Sequence, residues 1–150
     1  KIKLNNIDNK YFLRKYHFPV HSSIGNKIYN YVSSAIDISD GFYGDLENLI
    51  TEKNIGASIY SDLIPFSNKT KKLIRKKIVN FDYLLSAGDD YELIFTVSEE
   101  QKGNLETSLA STNVKATCIG QLSGHSSNLS LFKGEKPYTP KRDKGYEHNF

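Results

Sequence analysis

Two carboxylates, Asp37 and Asp40, bracket the hydroxyl of Ser39 in the run Ala35-Ile36-Asp37-Ile38-Ser39-Asp40-Gly41, which closes on Asp45-Leu46. Paired anionic oxygens of this kind suit Mg²⁺, which keeps part of its hydration and bridges to substrate phosphates. A second reading makes Ser39 or Asp40 a helix N-cap and Asp37 a satisfied turn residue. On spacing alone the cap ranks first, and capping does not exclude ligation. A second acidic run, Ala87-Gly88-Asp89-Asp90-Tyr91-Glu92, could accept from a ligand amine or hold a cation. Taken alone it reads as a turn, because Gly and Asp favour turns. The third candidate is the end of the chain, Gly145-Tyr146-Glu147-His148-Asn149-Phe150. There an aromatic could cover a ring-shaped ligand by stacking, although an exposed polar tail is ordinarily unordered. His17, His21, His125 and His148 lack zinc-site spacing. The sequence contains no Walker A run, no G-x-G-x-x-G and no G-x-S-x-G.

The elements around these runs decide what they can do. Ala35–Ser39 reads as a strand and Gly41–Lys53 as a helix, with Phe42, Leu46, Leu49 and Ile50 forming one apolar stripe. Asp37 and Asp40 thus fall at a strand-to-helix joint, where helix N–H groups and the positive end of the dipole favour anions. Tyr91–Val97 is the clearest strand pattern, and it follows the second acidic run directly. Ser98 and Gln101 read as a capping box that opens a helix to Ala110. Ile24–Ser33 reads as a short helix, Ile55–Tyr60 as a strand, Lys69–Val79 as a basic helix, and Val114–Gly120 and Leu129–Phe132 as strands completing the sheet. Residues 1–23 show no sustained period and read as an irregular lead-in. The pattern predicts an α/β (α+β layered) domain over 24–150, a mixed β-sheet flanked by helices.

Composition narrows the class. The 150 residues fit one ordinary domain. A net charge of +3, from 20 basic and 17 acidic residues, gives little reason to expect nucleic acid as a partner. The basic run Lys69–Lys77 reads as the solvated face of its helix. Cys118, the single cysteine, lies in an apolar segment and is expected to be a buried spectator; having no intramolecular partner, it suits a reducing cytoplasm. No apolar run is long enough to span a membrane and no signal peptide is visible. The chain starts at Lys1 and contains no methionine, which suggests a piece of a longer polypeptide.

Together the motifs resemble the C-terminal domain of thiamine-monophosphate kinase. That family shows Asp-Ile-Ser-Asp-Gly-Leu followed by Asp-Leu, then Gly-Gly-Glu-Asp-Tyr-Glu-Leu, an Ile-Gly segment and a Gly-Tyr-x-His-Phe end. This chain has, in order, Asp37-Ile38-Ser39-Asp40-Gly41-Phe42 with Asp45-Leu46, Ala87-Gly88-Asp89-Asp90-Tyr91-Glu92-Leu93, Ile119-Gly120, and Gly145-Tyr146-Glu147-His148-Asn149-Phe150. It departs from the pattern in Asp89 for Glu, Ala87 for Gly, and Asn149 between His148 and Phe150. The wider superfamily includes aminoimidazole ribonucleotide synthetase, selenophosphate synthetase and a hydrogenase maturation factor; the Ser-Asp-Gly form favours the thiamine-phosphate branch.

The resemblance implies transfer of the γ-phosphoryl group of ATP to thiamine monophosphate in the cytoplasm. It implies Asp37 and Asp40 as Mg²⁺ ligands and Ser39 as an ATP contact. It places Asp89 where the family has a thiamine-phosphate-contacting Glu, and Tyr146 where an aromatic packs on the substrate; no residue is expected to act as a catalytic nucleophile or base. It further implies that residues 1–23 lead in from an N-terminal domain carrying most metal ligands, much of the ATP site and a homodimer interface, so that this chain alone is catalytically incomplete. Two alternatives are a stand-alone, non-catalytic ligand-binding or interaction domain of the same fold and another ATP-using member of the superfamily.

Overall fold

The stripe Phe42, Leu46, Leu49 and Ile50 forms one face of a helix and organises the larger of two cores. In the computed structural model, which describes residues 4–19, 23–124 and 128–141, helix α3 (Phe42–Thr51) buries all four. In the same core α3 meets Ile36 and Ile94 of a two-stranded antiparallel sheet of β1 (Val32–Asp37) and β3 (Leu93–Val97). It also meets Ala57, Ile59 and Leu131 of a four-stranded sheet. In that sheet β2 (Gly56–Tyr60) pairs antiparallel with β4 (Gly120–Ser123) and parallel with β5 (Leu129–Lys133), and β5 pairs antiparallel with β6 (Lys136–Tyr138). A smaller core lies on the β1–β3 sheet, where α2 (Gly25–Ile28) and α6 (Glu99–Ala110) bring Ile28, Leu105 and Leu109 against Val32, Phe95 and Val97.

The mixed α/β class is as the sequence predicts, but the strands divide between two sheets instead of completing one. Residues 114–119 form no strand; 113–118 are exposed and pairing starts only at Gly120. Cys118 is therefore exposed, not buried, because the apolar alternation around it finds no partner strand. The lead-in is also more regular than its sequence suggests. Residues Asn6–His17 form helix α1, capped by Asn5, whose side chain accepts from the Asp8 N–H at 2.9 Å. Ser98 precedes α6 as expected, yet its hydroxyl bonds to the Glu100 carboxylate and holds it below its ordinary pKa rather than capping the helix.

The basic helix is α4 (Asn68–Arg75), capped by Ser67 through the Thr70 N–H. It buries Leu73 and leaves Lys71, Lys72 and Arg75 exposed, as a solvated face should. It stops short of Val79, since Lys77 adopts a left-handed φ of 55° that no helix continues. One further helix, α5 (Phe81–Ser86), runs up to the second acidic run. No helix among the described residues is long and apolar enough to cross a membrane.

Candidate functional site

Strand β1 ends at Asp37, opposite Leu93 at the start of β3, and the pairing of the two segments continues past both ends. Ile38 donates its N–H to the carbonyl of Glu92 at 2.8 Å, Tyr91 donates to the carbonyl of Ile38 at 2.8 Å, and Asp89 donates to that of Ser39 at 2.9 Å. These three backbone bonds stitch together the two acidic runs, some 50 residues apart in sequence.

Two glycines permit the close approach. A Cβ on Gly88 would lie 2.2 Å from the carbonyl oxygen of Ser39, and one on Gly41 would lie 2.8 Å from the backbone of Ser86. Gly41 also holds φ at 120°, which other residues adopt only with strain. Ala87, where the family pattern has glycine, has φ −77° and ψ 130°, ordinary extended backbone that requires no glycine.

The joint is held from within by Asp45, in the first turn of α3. Its residue is 3% exposed, and its Oδ2 accepts from the N–H groups of Ser39 at 2.9 Å, Asp40 at 3.1 Å and Gly41 at 3.2 Å. The N-cap position is Gly41, which has no side chain to offer, so the cap reading of Ser39 or Asp40 does not hold. A carboxylate reaching back from inside the helix gathers the turn's donors instead. Asp37 is exposed at the end of its strand, and Ser39 and Asp40 are half-buried in the turn.

The second run is conformationally unusual. Asp89 and Tyr91 both take left-handed backbone, at φ 63° and 52°. Asp visits that region at modest cost, whereas for a bulky aromatic it is an outlier that its surroundings must impose. The Tyr91 hydroxyl donates to Asp89 Oδ1 at 2.9 Å. That bond and the Asp89 charge raise the phenol pKa, with smaller contributions from desolvation, Tyr16 and Asp37. The Asp90 carboxyl is raised as well, first by desolvation and then by Glu92 and Asp89, although the residue as a whole remains exposed. Crowded carboxylates of this sort are relieved by a cation.

Asp37, Ser39, Asp40 and Asp89 thus fall on two segments joined by hydrogen bonds, while Tyr146 lies outside the described residues. Asp37 and Asp40 have the hard oxygen donors that Mg²⁺ prefers. Among the described residues, however, no three His, Cys, Asp or Glu side chains gather closely enough to hold a metal. A cation here would complete its shell from water, phosphate oxygens or groups beyond these residues. In the sequence Asp45 reads only as part of the run, with no role of its own. Its position four residues after a glycine that ends a strand-to-helix turn is the signal that could have found it.

The fold defines a class: mixed α/β domains with the aminoimidazole ribonucleotide synthetase-like fold. A scan against protein-family models finds no match. Curated relatives do match. The chain is 36% identical over 124 residues to the thiamine-monophosphate kinase of Escherichia coli K12, covering 83% of this chain and 38% of that protein. It is 32% identical over 151 residues to that of Buchnera aphidicola from Acyrthosiphon pisum, covering 98% and 45%. The solved structure of AaThiL complexed with AMPPCP and TMP superposes with a TM-score of 0.72 at 25% identity, over 99% of this chain and 44% of that one. The particular relationship is therefore with the thiamine-monophosphate kinases, of which this chain is a C-terminal-like relative. It spans less than half the length of the relatives it matches.

Proposed function

We propose that the chain is the C-terminal part of an ATP-dependent kinase that converts thiamine monophosphate to thiamine diphosphate, and that its β1–α3 joint forms one wall of the phosphotransfer site. The observation that carries this reading is the pairing of the two family-like acidic runs through Ile38 and Ser39. A phosphate oxygen of thiamine monophosphate would attack the γ-phosphorus of ATP, forming the new P–O bond as the bond to ADP breaks. Such a transfer asks the protein mainly for positioning and charge neutralisation, not for a nucleophile of its own.

In this reading Asp37 and Asp40 hold Mg²⁺, which supplies charge neutralisation on the phosphate oxygens. The Ser39 hydroxyl contacts ATP. Asp89 sits at the substrate side, where the positive thiazolium ring of a thiamine phosphate suits the Asp89–Asp90–Glu92 cluster. Tyr146 packs on the substrate. Residues 24–150 act as the C-terminal domain, and residues 1–23 connect to an N-terminal domain that brings further metal ligands and a homodimer interface; the protein works in the cytoplasm.

The test is ATP consumption coupled to thiamine diphosphate formation, measured on this 150-residue chain and on the longer protein containing it. The longer protein should convert thiamine monophosphate with one ADP released per product, and the chain alone should not. Full turnover by the chain alone would remove the claim of incompleteness. No conversion by the longer protein would remove the kinase reading.

A further inference from the structure

The N–H groups of Ser39, Asp40 and Gly41 converge on one atom, Oδ2 of Asp45, at 2.9, 3.1 and 3.2 Å. Consecutive amides turned inward in this way make a concave nest of the kind that receives a phosphate or another oxyanion. Here the chain fills the nest with a carboxylate of its own, 3% exposed and anchored in the helix whose other buried residues build the main core. Hydrogen bonds to an ionised acceptor are about twice as strong as neutral ones. These three therefore set the backbone of the turn that carries Ser39 and Asp40 and follows Asp37. The carbonyls of the same turn meet the second run, Ser39 accepting from Asp89 and Ile38 from Tyr91. The turn is thus fixed through its N–H groups on one side and its carbonyls on the other.

We infer that Asp45 is the positioning residue of the joint. It acts through residues 39–41 and touches neither nucleotide nor metal. By occupying the nest, it leaves a phosphate to approach this wall through side chains and a cation. The inference deepens the phosphotransfer reading above and rests on it for its kinetic consequences, but not for its structural ones.

Three variants of the longer protein test it. Asp45→Ala empties the nest, Asp45→Asn keeps the shape and one acceptor oxygen without the charge, and Leu46→Ala removes an equally buried neighbour. Misplacing reacting groups by about an ångström costs on the order of 100-fold in rate. Asp45→Ala should lower kcat by about that factor, with the KM for thiamine monophosphate little changed and amide exchange at 39–41 accelerated; millimolar formate should restore part of both. Asp45→Asn should fall between Asp45→Ala and the parent. Leu46→Ala should lower thermal stability but keep kcat and gain nothing from formate. A folded Asp45→Ala protein with parental kcat and unchanged exchange at 39–41 overturns the inference. If Asp45→Ala does not fold, Asp45→Asn with parental kcat and exchange does the same. Should the parent protein show no kinase activity, the phosphotransfer reading fails separately. Exchange then decides the role of Asp45: protection lost in Asp45→Ala and recovered with formate supports it, and unchanged protection refutes it.

Discussion

Gly88 shows most directly how single residues hold the site together. Its missing side chain leaves room for the Ser39 carbonyl, and a methyl group there would meet backbone at 2.2 Å with no flexible side chain to yield. Gly88→Ala should therefore destabilise the fold by at least the ~1–3 kcal/mol typical of overpacking, read as a lower urea midpoint, and should loosen the Asp89–Ser39 bond. The same substitution at Gly103, where a Cβ meets nothing within 4 Å, should leave stability unchanged or slightly improved. Asp89 makes a complementary case. Its left-handed φ of 63° suits glycine, but Asp89→Gly also removes the acceptor of the Tyr91 hydroxyl at 2.9 Å, so the melting temperature should change little while thiamine monophosphate binds more weakly. The sequence makes the acidic residues legible as chemistry but not their setting. A left-handed Tyr91 leaves no mark in composition, and Asp45 reads as one more polar position on an amphipathic helix.

Helix α1 shows where periodic patterning loses its power. Ile7 and Leu13 are 77% and 47% exposed, so its apolar residues mark no buried stripe and the segment reads as irregular. What ties it to the rest is polar. Asp8, nearly buried, takes Lys69 of α4 at 2.6 Å and the Asn5 amide at 2.7 Å, while the Lys69 ammonium also stands over the Tyr11 ring at 5.2 Å. The bond from Lys69, and after it that from Asn5, holds the Asp8 carboxyl below its ordinary pKa. A depressed pKa in the folded state means that the pair's contribution is complete above the ordinary carboxylate value. It is lost as pH falls through the depressed one. Acid should accordingly release α1 before the cores open, seen as faster amide exchange over 6–17, and Lys69→Met should weaken that pH dependence, leaving the smaller part due to Asn5. By contrast α3, β2 and β3 are legible because their apolar residues recur with the period of the element and find a partner. Residues 114–118 alternate equally well but stay exposed, and only Ile119, whose carbonyl accepts from the Tyr60 N–H at 2.8 Å, reaches β2.

For the whole molecule, the sequence conveys the α/β class and most of the elements from β1 to α6, though not α5. It does not convey that α3 is shared between two sheets. That arrangement depends on long-range pairings such as β2 with β5, which no local pattern encodes. It also explains the site, because seating α3 in the main core fixes the joint at its N-terminus against the segment leading into β3. The chain covers under half the length of its curated relatives, and the proposed function assigns the remainder of the cleft to a longer protein containing it. The measurement that bears most directly on the joint is the Mg²⁺ dependence of thiamine diphosphate formation by that longer protein carrying Asp40→Asn. The proposed role predicts a folded protein that has lost most of its turnover and needs more Mg²⁺ to reach half its remaining rate. Normal turnover at the parent's Mg²⁺ concentration would contradict it.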